Sequence, residues 1–201
     1  MTDQTHPPAA TRRRRADAER SVARILDATV ESLAHDPEAS MSEIARRAGV
    51  VRATIYVHFP TRESLIEAVT HRAVADVSQV IASAEPDSGD PVRALERVVS
   101  AAWRTLGRYH GLVSINSRLS GEELHGRHRS ALAALAPMIE RGQAQGVFGP
   151  DVPPSFHLAT LLALVHSASA ELSAGRIAAT DVEQALLLSV VGALTAKPQR
   201  S

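Results

Sequence analysis

The chain of 201 residues contains no cysteine, and phenylalanine, tryptophan and tyrosine together make up only 3% of it. Without cysteine the chain forms no disulfide and offers no thiolate ligand to a metal ion. No apolar run is long enough to span a bilayer, and no signal-peptide pattern is present. We therefore expect a cytoplasmic protein that has no membrane partner, and the sequence indicates no cofactor.

Alternating strand patterns and internal repeats are also lacking. Alanine and leucine are abundant, and apolar residues return at the three- and four-residue spacing of amphipathic helices. This periodicity predicts an all-α protein. Prolines and turn-forming residues separate the helices, most clearly at Asp36-Pro37 and in the linker 85–91.

A net charge of one sign is missing too, since 22 basic residues balance 22 acidic ones. The charges are nevertheless segregated along the chain. Arginines cluster at 12–15 and again at Arg46, Arg47, Arg52 and Arg62, whereas most acids of this region lie on the first helix and the loop after it. A local positive face is sufficient for contact with nucleic acid phosphates.

The segment 44–59 reads as two short helices joined by a glycine turn. Ile44, Ala45 and Ala48 have the spacing of a buried helix face, and Gly49 can adopt the left-handed backbone conformation of a tight turn. Val50 would fill the corner between the helices. The segment is therefore a helix-turn-helix, whose second helix can enter a DNA major groove.

The motif Ile44-Ala45-x-x-Ala48-Gly49-Val50, followed by Thr54-Ile55-Tyr56-x-His58-Phe59-x-x-Arg62-x-x-Leu65, resembles the TetR family of bacterial transcriptional regulators. The resemblance covers roughly residues 20 to 70. It implies an N-terminal three-helix DNA-binding head and a C-terminal helical domain for ligand binding and dimerisation. It also implies a homodimeric repressor that a small-molecule ligand releases from operator double-stranded DNA.

Two positions depart from the family pattern. Val51 stands where a residue with a side-chain oxygen usually caps the recognition helix, so we expect capping to be weaker by about 1 kcal/mol. Met41 replaces a hydroxyl residue that can reach a phosphate, which leaves that contact to Ser40 or Ser42.

Arg52 is the best candidate for reading a base, because a guanidinium can bond guanine O6 and N7 together. Ala53 and Val57 offer methyl contacts to thymine, and Thr54 can reach a phosphate or a base. In the resemblance Tyr56 and His58 touch phosphates or nearby bases; alternatively Tyr56 is a packing ring and His58 a helix-end cap. The predicted DNA contacts are Ser42, Arg46, Arg52, Ala53, Thr54, Tyr56, Val57, His58 and Arg62, the last placed for a phosphate.

We expect a disordered basic arm at 1–15, the helix-turn-helix domain at 16–62 and the helical ligand-binding and dimerisation domain at 63–201. Ser40 and Glu43 form a predicted capping box, Thr61 is expected to cap the fourth helix, and Thr180 with Glu183 should open the last one. Pro137 is expected to kink a helix over 122–145.

The last two predicted helices are apolar on more than one side, which indicates burial on both sides. They predict a four-helix interface between two copies of the chain, because a reader of a palindromic site needs two heads. The alternative is that they form the core of one subunit.

A ligand cavity is predicted between the helices of the C-terminal domain. Its predicted lining is Trp103, Leu106, Met138 and His166, with Asn116 or Arg118 adding polar contacts. Alternatively, Trp103 and Met138 simply fill the core. A cavity of several hundred cubic ångströms would favour a sensor over a ligand-independent dimeric DNA-binding protein.

Two further classes are disfavoured. His125-x-x-His128, near Glu122, has the spacing of two metal ligands on a helix, but no convincing third ligand accompanies them. We therefore assign no metal site, and a metal-responsive regulator is a weaker alternative. No nucleophile-base pair or phosphate-binding loop suggests an enzyme, so no catalytic residue is assigned.

Overall fold

The computed structural model describes residues 9–116 and 121–195, and these residues form helices and connecting loops, with one isolated antiparallel bridge between Phe148 and Thr195. The expected all-α class is confirmed. A short 3-10 turn, Gly107–Tyr109, joins the fifth helix to the sixth. The helices are α1 Ala9–His35, α2 Met41–Arg47, α3 Arg52–His58, α4 Arg62–Ser83, α5 Pro91–Leu106, α6 His110–Asn116, α7 Gly121–Ala144, α8 Pro154–Ser173 and α9 Val182–Leu194.

The chain divides into two compact units between Val69 and Thr70, seven residues later than the boundary expected after position 62. We call the described residues up to 69 the head and those from 70 onwards the body. The expectation of a disordered arm over 1–15 is corrected in part, since α1 begins at Ala9 and includes Arg12 to Arg15. Alanine and arginine favour helix strongly, which explains the early start. Residues 1–8 lie outside the described part.

The head is built from α1, α2, α3 and the first turns of α4. Its core contains Ile25, Leu33, Ile44, Ile55 and Leu65, all fully buried. Each of the four helices contributes at least one of these residues, so each short helix has one apolar side to bury. Seven-residue helices are marginal alone, and this shared core is what stabilises α2 and α3.

Side-chain caps define where two head helices begin. The predicted capping box at α2 is confirmed: Ser40 Oγ accepts from the Glu43 N–H at 3.3 Å, and Glu43 Oε2 accepts from the Ser40 N–H at 2.8 Å. At α4, Thr61 Oγ1 accepts from the Ser64 N–H at 3.1 Å, which confirms that Thr61 caps this helix.

The corresponding prediction at α9 is wrong. Asp181 occupies the N-cap position and makes no side-chain cap bond, while the Thr180 hydroxyl donates to Asp181 Oδ1 at 2.9 Å. Glu183 instead accepts from Arg104 of α5 at 3.5 Å. A contact distant in the sequence therefore uses the residue that the local pattern assigned to capping.

The body packs α5, α7, α8 and α9 around one apolar core. Leu95, Val98, Met138, Ile139 and Leu194 are at its centre and are almost wholly inaccessible to solvent. The helix α7 continues through Pro137, close to the bounds expected for it. Within the described residues, none of the helices has the length and apolar character needed to cross a membrane.

Candidate nucleic-acid interface and internal cavity

The turn between α2 and α3 depends on Gly49. Its φ is +64°, in the left-handed region, and no atom outside its chain neighbours would lie within 4 Å of an added Cβ. Glycine is favoured here for its backbone conformation and not for lack of space. The N–H groups of Gly49 and Val50 donate to the Arg46 and Ala45 carbonyls at 3.2 and 3.0 Å, which closes the end of α2.

The helix α3 has one buried and one exposed side. Ile55 is fully buried, whereas Arg52, Ala53, Tyr56 and Val57 are exposed on positions i, i+1, i+4 and i+5. Val57 is 79% exposed, which is unusual for a valine. An exposed helical side that combines a guanidinium, a phenol and small apolar groups suits the hydrogen-bonding groups and methyls of a major groove.

Arg52 and Tyr56 contact each other one helical turn apart. The Arg52 guanidinium carbon lies 5.5 Å from the centroid of the Tyr56 ring, within the range of a cation–π interaction. This contact restrains a long flexible side chain on the exposed side of α3. Thr54 and His58 are half-buried at the edges of that side.

The structure explains the departure at position 41, which is the first residue of α2. Met41 is buried in the head core, so it contributes packing where the family pattern has a hydroxyl. The Ser40 hydroxyl donates to Glu43 Oε2 at 2.7 Å and is occupied by the cap. Ser42 and Arg46 are both exposed and four residues apart, on one side of α2. Ser42 is therefore the hydroxyl available for a phosphate.

Arg62 has a different environment from the one expected. Its Nε donates to the Ala39 carbonyl at 3.4 Å, and a terminal guanidinium nitrogen donates to the Pro37 carbonyl. The side chain is half-buried and ties the start of α4 to the loop between α1 and α2. Arg62 therefore helps to position the start of α4, and its contact with a phosphate stays a prediction.

The recognition helix α3 has no side-chain cap, as expected from the valine at position 51. Val51 occupies the N-cap position with extended backbone angles, and it makes no side-chain cap bond. Its side chain is 70% exposed, so it gains little from packing. The start of α3 therefore depends on the turn and on the buried Ile55.

The body contains an apolar cavity of about 90 Å³. It is bordered by five helices and the 3-10 turn, and among the described residues its wall includes no Asp, Glu, Lys or Arg. This volume is below the several hundred cubic ångströms that would favour a small-molecule sensor. The wall includes Val77 and Ile81 of α4, Val98 and Ala102 of α5, Tyr109, Leu112 of α6, His128 and Leu132 of α7, and Leu161, His166 and Ser169 of α8.

The predicted ligand-binding residues divide into three groups. Leu106 and His166 line the cavity. Trp103 and Met138 do not: Met138 is fully buried in the core, and Trp103 packs against that core, in agreement with the alternative reading of both. Arg118 and the side chain of Asn116 lie outside the described residues, so their prediction is untested.

Sequence reasoning missed the contribution of α4 to this wall. Thr70, Ala73, Val77 and Ile81 all border the cavity. Their spacing of three and four residues is the signal that could have identified them, since it marks a second apolar stripe continuing beyond the head.

Two polar side chains of the wall have strongly shifted pKa values. Burial, with a hydrogen bond to Asp76 Oδ2 at 2.5 Å, raises the pKa of Tyr109 to about 12. Burial, with the neighbouring His128, lowers the pKa of His166 to about 4. His166 is therefore neutral at pH 7.

The two histidines meet edge to face, with ring centroids 5.4 Å apart and planes at 86°. Nδ1 of His166 is buried and finds no hydrogen-bond partner among the residues that the structure describes. The side chain of His125 is not described, and no group of three potential metal ligands occurs in the part of the chain that is.

The last two helices use most of their apolar residues inside the body. Leu158 and Leu161 of α8 and Leu186 and Val190 of α9 are buried in its core. Each helix nevertheless leaves one stripe exposed, in which Phe156 and Leu188 are the large apolar residues. The stripes are Phe156, Ala159, Ala163 and Ser167 on α8, and Gln184, Leu188 and Gly192 on α9.

The head geometry is that of a helix-turn-helix, and comparison with known proteins agrees. The profile described as "Bacterial regulatory proteins, tetR family" matches residues 25–69. The regulator NfxB of Pseudomonas aeruginosa is 26% identical over 163 residues, which are 79% of this chain and 86% of NfxB. The chain is therefore a DNA-binding transcriptional regulator of the helix-turn-helix class.

Further similarity is found to the repressor LfrR. The repressor LfrR of Mycolicibacterium smegmatis is 42% identical over 84 residues, covering 41% of this chain and 44% of LfrR. The crystal structure of the TetR-like regulator LfrR in complex with proflavine superposes with a TM-score of 0.68 at 24% identity, over 89% of this chain and 99% of LfrR. The matched profile and these relatives show that this chain is similar to TetR-family regulators, in sequence over its head and in fold over most of its length.

Proposed function

We propose that this protein is a homodimeric repressor that binds operator DNA in the bacterial cytoplasm and leaves it when a small molecule occupies the cavity of the body. The observation that carries the DNA-binding part is the exposed side of α3. Arg52, Tyr56 and Val57 have no core to pack against there, and Val57 in particular gains nothing from exposure to water.

Each exposed group has a chemical counterpart on DNA. Arg52 suits guanine O6 and N7, and the methyl groups of Ala53 and Val57 suit thymine. Tyr56, at the next turn, supports the Arg52 guanidinium and can donate its hydroxyl to a phosphate. The remaining contacts in the proposal are Ser42, Arg46, Thr54 and His58, which we assign to phosphates.

A second copy of the chain is the proposed occupant of the exposed stripes on α8 and α9. The stripes combine small residues, which allow helices to approach closely, with Phe156 and Leu188, which would lose exposed apolar surface on association. A two-fold dimer presents two recognition helices to a palindromic operator.

Release by a small molecule requires a difference in affinity between two conformations. A ligand lowers operator affinity only if it binds the conformation with low operator affinity better than the other. LfrR was crystallised with proflavine, which shows that a structurally similar protein binds a small molecule. The apolar cavity with an unpaired polar atom supports the same kind of role here.

The small cavity favours a second candidate function, a ligand-independent dimeric DNA-binding protein. Pockets for drug-sized ligands typically measure roughly 300 to 1,000 Å³, whereas this cavity measures about 90 Å³. A sensor would have to widen it on binding or take a small ligand.

Selection from random DNA duplexes tests the DNA-binding proposal, and we expect an inverted repeat to be recovered. Arg52→Ala should then weaken binding by about 1 to 3 kcal/mol and relax the preference at one position of each half-site. Arg93→Ala is the matched control, because Arg93 is an exposed body arginine paired with Glu96. Uniform weakening on all sequences by Arg52→Ala would contradict its assignment to a base.

The sensing proposal is tested separately. Compounds that raise the melting temperature of the protein are titrated against the operator complex, with fluorescence anisotropy as the readout. We expect at least one of them to release the DNA. If every stabilising compound leaves operator affinity unchanged, the ligand-independent function is correct.

A further inference from the structure

His166 is the feature of the cavity that most constrains a ligand. Its Nδ1 is buried without a partner among the described residues, and a buried polar atom that stays unpaired is unfavourable. A ligand that supplies the missing hydrogen bond therefore gains more than the same bond would bring on an exposed surface.

The other polar groups of the wall are already engaged. The Tyr109 hydroxyl donates to Asp76, and the Ser169 hydroxyl donates to the Val165 carbonyl at 3.0 Å. Thr70 and His128 also take part in interactions. The imidazole of His166 is therefore the polar group of the described wall for which no hydrogen bond is found.

The charge of the ligand is constrained as well. Within the described part of the chain, the wall has no carboxylate to pair with a cation and no lysine or arginine to pair with an anion. The pKa of His166, lowered to about 4, leaves this imidazole uncharged at neutral pH. An unpaired charge in such surroundings is strongly disfavoured.

Building on the proposed sensing function, we propose that the cavity binds a small, uncharged, largely apolar compound carrying one hydroxyl group, which pairs with the imidazole of His166. A hydroxyl is suited to this position because it both donates and accepts, so it satisfies either tautomer of a neutral imidazole. The volume of about 90 Å³ is smaller than that of an engineered cavity of about 150 Å³ that holds benzene, so the apolar part is at most one six-membered ring and the cavity must widen to admit it.

Four probes of matched shape test this class: benzyl alcohol, toluene, benzoate and benzylammonium. Titration calorimetry and thermal shift at pH 7.5 measure binding of each to the full-length protein. We expect benzyl alcohol to bind at least tenfold more tightly than either ion. Toluene should bind with intermediate affinity, because it fills the cavity but makes no hydrogen bond to His166.

The variant His166→Leu assigns the hydrogen bond. We expect it to weaken benzyl alcohol about fivefold while leaving toluene unchanged or tighter, as the loss of one hydrogen bond predicts. His71→Leu is the matched control, because His71 is exposed on α4 and does not line the cavity. It should change neither affinity. Circular dichroism confirms that both variants are folded before they are compared.

Several results would overturn the proposed ligand class. One is binding of benzoate or benzylammonium as tightly as benzyl alcohol. Another is an equal loss of affinity for benzyl alcohol and for toluene in His166→Leu. The third is no binding of any probe at its solubility limit. The fluorescence anisotropy of the operator complex distinguishes failure of the proposed ligand class from failure of the proposed sensing function. Release by an ionic compound would retain a sensor with a different ligand, whereas tight alcohol binding without release would retain the ligand class alone.

Discussion

The head and the body use their polar side chains differently. In the head, Ser40 with Glu43 and Thr61 with Ser64 cap helices within three residues of themselves, and Arg46 and Arg52 are exposed on the surface. In the body, Arg141 reaches Pro86 and Gln143 reaches Gly149 and Val152, so side chains tie loops across the fold. The caps of the head are therefore local, with Arg62 as a long-range contact, while the named side chains of the body bind backbone carbonyls of loops.

The largest expected effect on stability comes from comparing a substitution on the buried side of α9 with one on its exposed side. Leu186 is 3% exposed and Leu188 is 68% exposed. Leu186→Glu should destabilise the body by at least about 4 kcal/mol, since it removes core packing and buries a carboxyl. Circular dichroism with urea unfolding measures this loss.

Leu188→Glu should leave the fold intact, because in a single copy of the chain this side chain already faces water. It should yield monomers, because a charge buried in the proposed interface disfavours association. Light scattering at micromolar concentration provides the readout. A folded Leu188→Glu dimer would place the subunit interface away from this stripe of α9.

A second test uses the pH dependence that His166 gives to the body. Its pKa is about 4 in the folded protein and near 6.5 when unfolded, so the unfolded chain binds the extra proton first as the pH falls. The stability linked to His166 is complete above pH 6.5 and decreases towards pH 4, by about 3 kcal/mol at most. Urea unfolding at pH 7.5 and 4.5 should show a smaller difference for His166→Leu than for the wild type. Equal differences would mean that His166 is not desolvated.

Two glycines sharpen the comparison through different physical causes. A Cβ on Gly142 in α7 would collide with the Phe148 ring, so Gly142→Ala should cost about 1 to 3 kcal/mol through overpacking. Gly49 has open space but a positive φ, so Gly49→Ala should cost about 1 kcal/mol through the backbone. Gly107→Ala, with open space and a helical φ of −53°, is the control and should be near neutral. A larger loss of melting temperature in Gly49→Ala than in Gly142→Ala would contradict these causes.

The smallest expected effect is a gain in the head. Val51→Ser supplies the side-chain oxygen that the N-cap of α3 lacks and should stabilise the helix by about 0.5 to 1 kcal/mol. Hydrogen exchange of the α3 amides is the sensitive measurement. Unchanged exchange would mean that the turn and Ile55 already hold the first turn of α3 fully.

The sequence by itself determined the all-α class, the helix-turn-helix and its exposed residues, because these depend on neighbours within a few positions. Gly49 in the turn, the Ser40–Glu43 cap and the missing cap at Val51 were all predicted in this way and are confirmed. Only the tertiary structure decided that Arg62 binds carbonyls 23 and 25 residues away, that Trp103 and Met138 pack in the core, and that α4 supplies a wall of the cavity. Periodicity shows that a side of a helix is apolar, but which residues meet across the core, and whether they close fully or leave a cavity, depends on contacts between distant parts of the chain.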